Sequence, residues 1–152
     1  MECKDIMRTI DTVICEDDPA SSVIDVMVER RIGLIPVVDR EGGFVGLLSG
    51  DRLMHFMLPK TIHMMRGKKY AGYLRESREE LRERLDELRQ RPICDLVDRN
   101  AQVAYTDTGL IDAMLLITGK QFVVPVLDRE TGKLVGAISF FTVLKSLEED
   151  TP

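Results

Sequence analysis

"VPVLDRETGKLVGAIS", residues 124–139, decides the fold of this 152-residue chain, because a near copy, "IPVVDREGGFVGLLS", has already occurred at residues 35–49. Pro36 and Pro125 are 89 positions apart, whereas Gly46 and Gly136 are 90 apart, as are Ser49 and Ser139. The extra residue falls in the turn between two apolar runs, where repeated units drift most easily. Upstream, "DDPASSVIDVMVERRIGLIP" runs parallel to "TDTGLIDAMLLITGKQFVVP". Aligning "VIDVM" at 23–27 with "LIDAM" at 110–114 needs a two-residue shift, which leaves the register of the second copy's helix open.

Local chemistry specifies the elements within each copy. Asp17, Asp18 and Pro19 put acid and a fixed φ at a helix start. Val23, Val26 and Met27 continue it on one side, with Arg30 and Arg31 opposite. The second copy is predicted to begin its helix in the same way at Thr106 and Asp107. The β-branched runs at 34–38 and 122–127 are apolar on both faces, which suits buried strands. Hairpin turns supplied with glycine follow, "DREGG" and "DRETGK", and then second strands at 44–48 and 134–138. Ser49 and Ser139 stand where helix N-caps belong, ahead of "GDRLMHFML" and "FFTVLKSL". The sequence therefore predicts an α/β fold built from a β-α-β-β-α unit used twice.

Composition narrows the class. With 44% hydrophobic residues in 152, the chain can bury one good core or two small ones packed together. Its longest uncharged apolar run, from Leu134 to Leu144, is interrupted by Gly, Ser and Thr and falls far short of the roughly 20 residues that span a bilayer. "MECKDIMRTID" does not read as a signal peptide, so a cytoplasmic location is expected. Cys3, Cys15 and Cys94 form no CxxC or CxxH pair and fit reduced thiols. His55 and His63 are the only histidines, and they lack acidic partners at metal-ligand spacing. "RGKKYAG" at 66–72 lacks P-loop glycine spacing. The methionines read as adaptable core. An acidic chain with eight aromatics does not fit a nucleic-acid binder, and with no nucleophile-base constellation an enzyme is not expected.

One local arrangement points toward a ligand. A strand that runs into a Ser-capped helix gathers free backbone N–H groups, a hydroxyl and the positive end of a helix dipole, which suits phosphate or ribose oxygens. Taken alone, a serine there is most often just a cap.

The ordered set "DIM", an acidic-Pro helix start, "PVVD", a glycine turn and "GLLS" leading into a helix, present in duplicate, resembles a tandem pair of cystathionine-β-synthase (CBS) domains, also called a Bateman module. The resemblance covers residues 4–58 and 93–149. It implies two repeats related by a pseudo-twofold axis and packed sheet to sheet, with clefts that take adenosine-containing ligands such as AMP, ADP, ATP or S-adenosylmethionine, and assembly into a homodimer. The domains expected on this basis are 1–58, a connector at 59–92, and 93–152. In the family, the last-strand glycine is followed three positions on by Ser or Thr and six positions on by Asp, or sometimes Thr. Gly136 is followed in this way by Ser139 and Thr142. Gly46 leads to Ser49 and Arg52, with Asp51 one place early. One position on a helix is a rotation of about 100°, so Asp51 is expected to point away from a ribose, leaving Arg52 for a phosphate. Ile35, Val37, Val124 and Val126, with Ile14 and Val103, would resemble the family's adenine-facing wall, or be plain core. Arg31 and Lys120 occupy the places where the family presents a cation to phosphate, or are solvated helix ends.

The connector departs from the family. Residues 59–92 hold ten Lys/Arg against six Asp/Glu, net +4, while the remainder holds eleven against twenty, net −9, together the chain's −5. Residues 73–91 contain strong helix formers, with Leu74, Leu81 and Leu88 seven apart and Ala71, Arg78 and Leu85 on the adjoining positions. Ion pairs such as Glu80 with Arg84 add only a few tenths of a kcal/mol, so the leucine stripe needs a partner. That partner is the chain's own repeat surface, the same helix in a second subunit, which is the expectation favoured here, or another protein. Two functions follow as expectations. In one the chain is a sensor that signals ligand binding to a partner; in the other it is a ligand-free interaction scaffold acting through the inserted helix.

Overall fold

The computed structural model describes residues 1–59, 77–119 and 121–149. Its elements in chain order are α1 (Cys3–Ile6), β1 (Ile14–Cys15), α2 (Ala20–Arg30), β2 (Leu34–Val38), β3 (Phe44–Ser49), α3 (Gly50–Met57), α4 (Arg78–Arg89), α5 (Ile93–Leu96), β4 (Ala104–Tyr105), α6 (Leu110–Ile117), β5 (Val123–Leu127), β6 (Leu134–Ser139) and α7 (Phe140–Glu148). The β-α-β-β-α unit occurs twice, in two three-stranded sheets of order β1-β2-β3 and β4-β5-β6. In both, the short first strand runs parallel to the second: Ile14 faces Val37, and Ala104 faces Val126. β5 and β6 are antiparallel, with Val124 opposite Ile138.

Both hairpin turns are closed by aspartate. Asp39 Oδ1 accepts the N–H groups of Glu41 and Gly43, and Asp128 Oδ1 those of Glu130 and Thr131. Such Asx turns are followed by a residue with positive φ, supplied by Gly42 at 87° and Gly132 at 71°.

Helix starts correct the sequence reading in one place. The second repeat's helix begins at Leu110 with Gly109 as N-cap, not at Thr106 and Asp107. Asp107 is held instead by Arg129, which donates from Nε and Nη2 to its carboxylate at 3.0–3.2 Å, and Thr108 Oγ1 accepts the Tyr105 N–H to close a separate turn. Pro19 caps α2 just as Gly109 caps α6, so the true offset here is 90. That register pairs buried Val23 with buried Ala113 and sets aside the shifted "VIDVM" and "LIDAM" match. It also pairs Ile14 with Ala104, so the counterpart of Val103 is Val13.

The described residues form two compact units. The first comprises 1–16, 36–47 and 98–152. Its core joins Cys3 and Ile6 of α1 to Ala104, Ala113, Val124, Val126, Ile138 and Val143. The chain start docks on the second repeat: the Cys3 and Lys4 N–H groups donate to Thr108 O and Thr106 O, and Arg8 exchanges two 3.0 Å backbone bonds with Ala137. Gly136 permits that approach, because a Cβ there would stand 2.8 Å from Met7 Sδ and 3.0 Å from Arg8 O. Asp98 makes the corresponding pair of bonds with Leu47. Each repeat's last strand is thus bordered by the segment that introduces the other repeat. The hairpin tips also meet, Phe44 N–H donating to Gly132 O and Leu134 N–H to Gly42 O at 3.2 Å.

The second unit comprises 17–35 and 48–97. Here α4 lies on α2 and α3. Ser77 caps it by accepting the Glu80 N–H, and acid follows at Glu79 and Glu80, as the helix dipole favours. Leu88 is buried and Leu85 half-buried, whereas Leu81 is exposed. Arg89 Nη1 donates to Asp25 Oδ1 at 2.9 Å and to Ser21 O at 3.3 Å, Arg84 Nη1 donates to Met57 O at 3.3 Å, and the Arg91 guanidinium lies 4.7 Å from the Phe56 ring centre. Leu88 of the stripe is thus covered by the chain's own repeat. Ala71, Tyr73 and Leu74 lie outside the described residues.

Candidate functional site

β6 delivers Ser139 to the start of α7, and the two hydroxyls singled out in the sequence meet there. Thr142 Oγ1 accepts the Ser139 N–H at 2.8 Å and donates to Ser139 O at 2.9 Å, while Ser139 Oγ accepts the Thr142 N–H at 3.4 Å. This is a reciprocal capping box, and Thr142 is buried. A hydroxyl has one proton and two lone pairs. Thr142 has therefore spent its proton and keeps one lone pair for a ligand donor, whereas Ser139 keeps its proton for an acceptor. The N–H groups of Phe140 and Phe141, in the first turn, have no intrahelical acceptor.

Beside this cap lies a cavity of about 430 Å³, within the range of small-molecule sites. Its walls are the α1 segment from Asp5 to Arg8 and the α7 residues Phe141, Thr142, Lys145, Ser146 and Glu149. The Phe141 ring is 75% exposed, enough for a flat group to stack on it. Arg8 and Lys145 bring positive charge. Asp5 accepts the Glu2 N–H at 2.9 Å, and Glu149 stands 3.9 Å from Lys145. Arg8, Phe141 and Lys145 were not singled out from the sequence. Lys145 sits one helical turn beyond Thr142, which was the available signal; Arg8 reaches the site only through its pairing with Ala137.

The remaining sequence candidates are dispersed. Val124 and Val126 have no accessible surface and belong to the core under the cap, and Val103 is half-buried just before β4. Ile35 and Val37 are likewise fully buried. Ser49 caps α3 by accepting the Arg52 N–H at 3.2 Å, while the Arg52 and Asp51 side chains are exposed. Arg31 is exposed and closes α2 in the left-handed region at φ 55°, the only non-glycine with positive φ among the described residues. Lys120 lies outside the described residues.

Near the site, Arg129 hydrogen-bonding holds the Asp107 carboxyl below its usual range, and burial, aided by the Asp107 charge, pushes the Cys3 thiol up. A neutral Cys3 fits its place in the core. Among the described residues no group of three or more His, Cys, Asp or Glu could hold a metal ion, and no helix is long and apolar enough to cross a membrane.

Known proteins place this architecture. No curated protein matches the chain. Among solved structures, it is similar to the CBS-pair protein CBSX2 from Arabidopsis thaliana, with 21% identity and a TM-score of 0.71 over 96% of this chain and 93% of that one. CBSX2 in complex with AMP matches with 21% identity and a TM-score of 0.67, over 96% and 95%. A hypothetical conserved protein from Geobacillus kaustophilus matches with 20% identity and a TM-score of 0.74, over 97% and 96%. The family model described as CBS domain matches twice, at residues 3–59 and 93–149. With both matches together spanning most of its length, this chain belongs to the CBS domain family as a tandem pair.

Proposed function

We propose that this CBS pair is a regulatory module that binds an adenosine-containing ligand, AMP, ADP, ATP or S-adenosylmethionine, beside the Ser139–Thr142 cap, and works as a homodimer. The observation that carries the reading is the cavity in which Thr142 of that cap adjoins Phe141, Arg8 and Lys145. These residues supply a stacking surface, two cations and a helix N-terminus, the separate requirements of a base and a phosphate. AMP bound to the similarly folded CBSX2 supports the choice of ligand class. The first repeat is the weaker candidate. Arg52 stands where Thr142 does, and Asp98, which pairs with Leu47 as Arg8 pairs with Ala137, replaces a cation by an acid. Binding would regulate a partner, reached through α4 or the rest of the connector, to the extent that the ligand's affinity differs between two conformations.

Thermal unfolding against millimolar AMP, ADP, ATP, S-adenosylmethionine and GTP tests this, since a ligand at 100 times its Kd adds about 2.7 kcal/mol. A shift with adenosine compounds that disappears in Arg8→Ala/Lys145→Ala is the expected result. No shift with any compound refutes the sensor. The second reading, a ligand-free scaffold, would then take its place; it draws on the capping box, which already engages both hydroxyls.

A further inference from the structure

The cavity beside α7 is equipped unequally for the parts of a nucleotide. Phe141 is exposed toward a base, and Arg8 and Lys145 are exposed toward a phosphate. Phe141 and Thr142 both neighbour Lys145 one turn along α7, so a sugar that joins a base on Phe141 to a phosphate on Lys145 passes Thr142. What Thr142 can do there is set by the bonds it already makes. Its hydroxyl proton goes to Ser139 O at 2.9 Å, and one lone pair takes the Ser139 N–H at 2.8 Å. One lone pair is left, and it can accept from one sugar hydroxyl at most.

A binding site rejects an analogue that lacks a hydroxyl mainly because the analogue leaves a buried polar group of the protein unpaired. Thr142 is not such a group, because Ser139 satisfies it with or without a ligand. Among the described residues, no buried side-chain nitrogen or oxygen is without a hydrogen bond. The two carboxylates of the wall, Asp5 and Glu149, are exposed, so water serves them when a sugar hydroxyl does not.

We infer that Thr142 makes this site indifferent to the sugar: it holds adenine nucleotides by base and phosphate, and accepts the 2′-deoxy form about as well as the ribo form. The inference rests on the nucleotide reading proposed above and adds its sugar specificity. A carboxylate at the same place would behave differently, and the chain itself contains the comparison. At the start of α1, Asp5 holds the position that Thr142 holds in α7 and closes the same reciprocal box, its Oδ2 accepting the Glu2 N–H at 2.9 Å. That bond uses one carboxylate oxygen of two. Thr142→Asp would therefore keep an acceptor for the Ser139 N–H and add a charged one beside the sugar.

Isothermal titration of the full chain with AMP and 2′-deoxy-AMP, and with ATP and 2′-deoxy-ATP, reads the preference directly. In the parent, the Kd values of a pair should agree within about fivefold, the scale of one neutral hydrogen bond. In Thr142→Asp, checked for its fold by circular dichroism, the 2′-deoxy nucleotide should fall behind by about a further tenfold, as a hydrogen bond to a charged group allows. A parent that prefers the ribonucleotide by more than about fivefold overturns the inference and leaves the nucleotide site standing, whether or not the variant folds. A preference that Thr142→Asp leaves unchanged puts the sugar away from residue 142 and overturns its role. Titrations in which none of the four nucleotides binds overturn the site itself, and the inference with it.

Discussion

Replacing Leu88 by alanine tests whether the inserted helix is part of the fold or only attached to it. Leu88 is 3% exposed on α4, in the helical layer formed with α2 and α3, whereas Leu81, two turns earlier on the same stripe, is 40% exposed. Truncating a buried leucine costs about 2–5 kcal/mol, the lost transfer energy plus a residual cavity. Because α4 lies over the other two helices rather than within the sheet, some collapse of the cavity is available, and about 3 kcal/mol is the expected cost. For a chain of this length each kcal/mol shifts the midpoint by roughly 2–4 °C, so Leu88→Ala should melt about 6–12 °C below the parent. Leu81→Ala should stay within about 0.5 kcal/mol, the usual range for surface changes. Thermal and urea unfolding by circular dichroism measure both. Amide exchange should show the loss first in 20–30 and 50–57, the helices that α4 covers. If Leu88→Ala unfolds within 0.5 kcal/mol of the parent, or no lower than Leu81→Ala, then α4 does not rest on its own repeat.

Two further outcomes follow from the second repeat. Thr142→Ala removes the acceptor of the Ser139 N–H and the donor to Ser139 O, which should cost about 1 kcal/mol of stability and weaken nucleotide binding, while Thr142→Ser keeps both; an alanine variant with the parent's midpoint would mean the cap contributes nothing. The Asp107 carboxyl is held below its ordinary value by Arg129. Its contribution to stability is therefore present above about pH 4 and is lost as pH falls through the lower folded value. Asp107→Asn should lower the midpoint at neutral pH and converge with the parent in acid, and melting curves that stay a constant distance apart down to pH 2 would contradict the pair.

Much of this molecule was legible because its information is local. The repeated Pro, Asp, Gly and Ser positions mark strand, turn, strand and cap by backbone chemistry that needs no distant partner, and so β2, the hairpins and the Ser49 and Ser139 caps lie where the sequence placed them. The start of α6 was not local. Asp107 looks like the first residue of a helix until Arg129, twenty-two residues later, claims its carboxylate. Arg8 illustrates the same limit at the cavity: it reaches α7 only because Gly136 lets the chain start lie against β6, a contact across nearly the whole sequence.

The sequence by itself determined that the chain is two copies of one unit, where each copy turns and caps, and that a charged leucine-striped helix separates them. Only the tertiary structure decided that this helix lies on α2 and α3. A stripe of leucines states the need for a partner, but the choice among partners depends on what other elements present to it. Here Ser21 offers Arg89 a carbonyl and Asp25 a carboxylate.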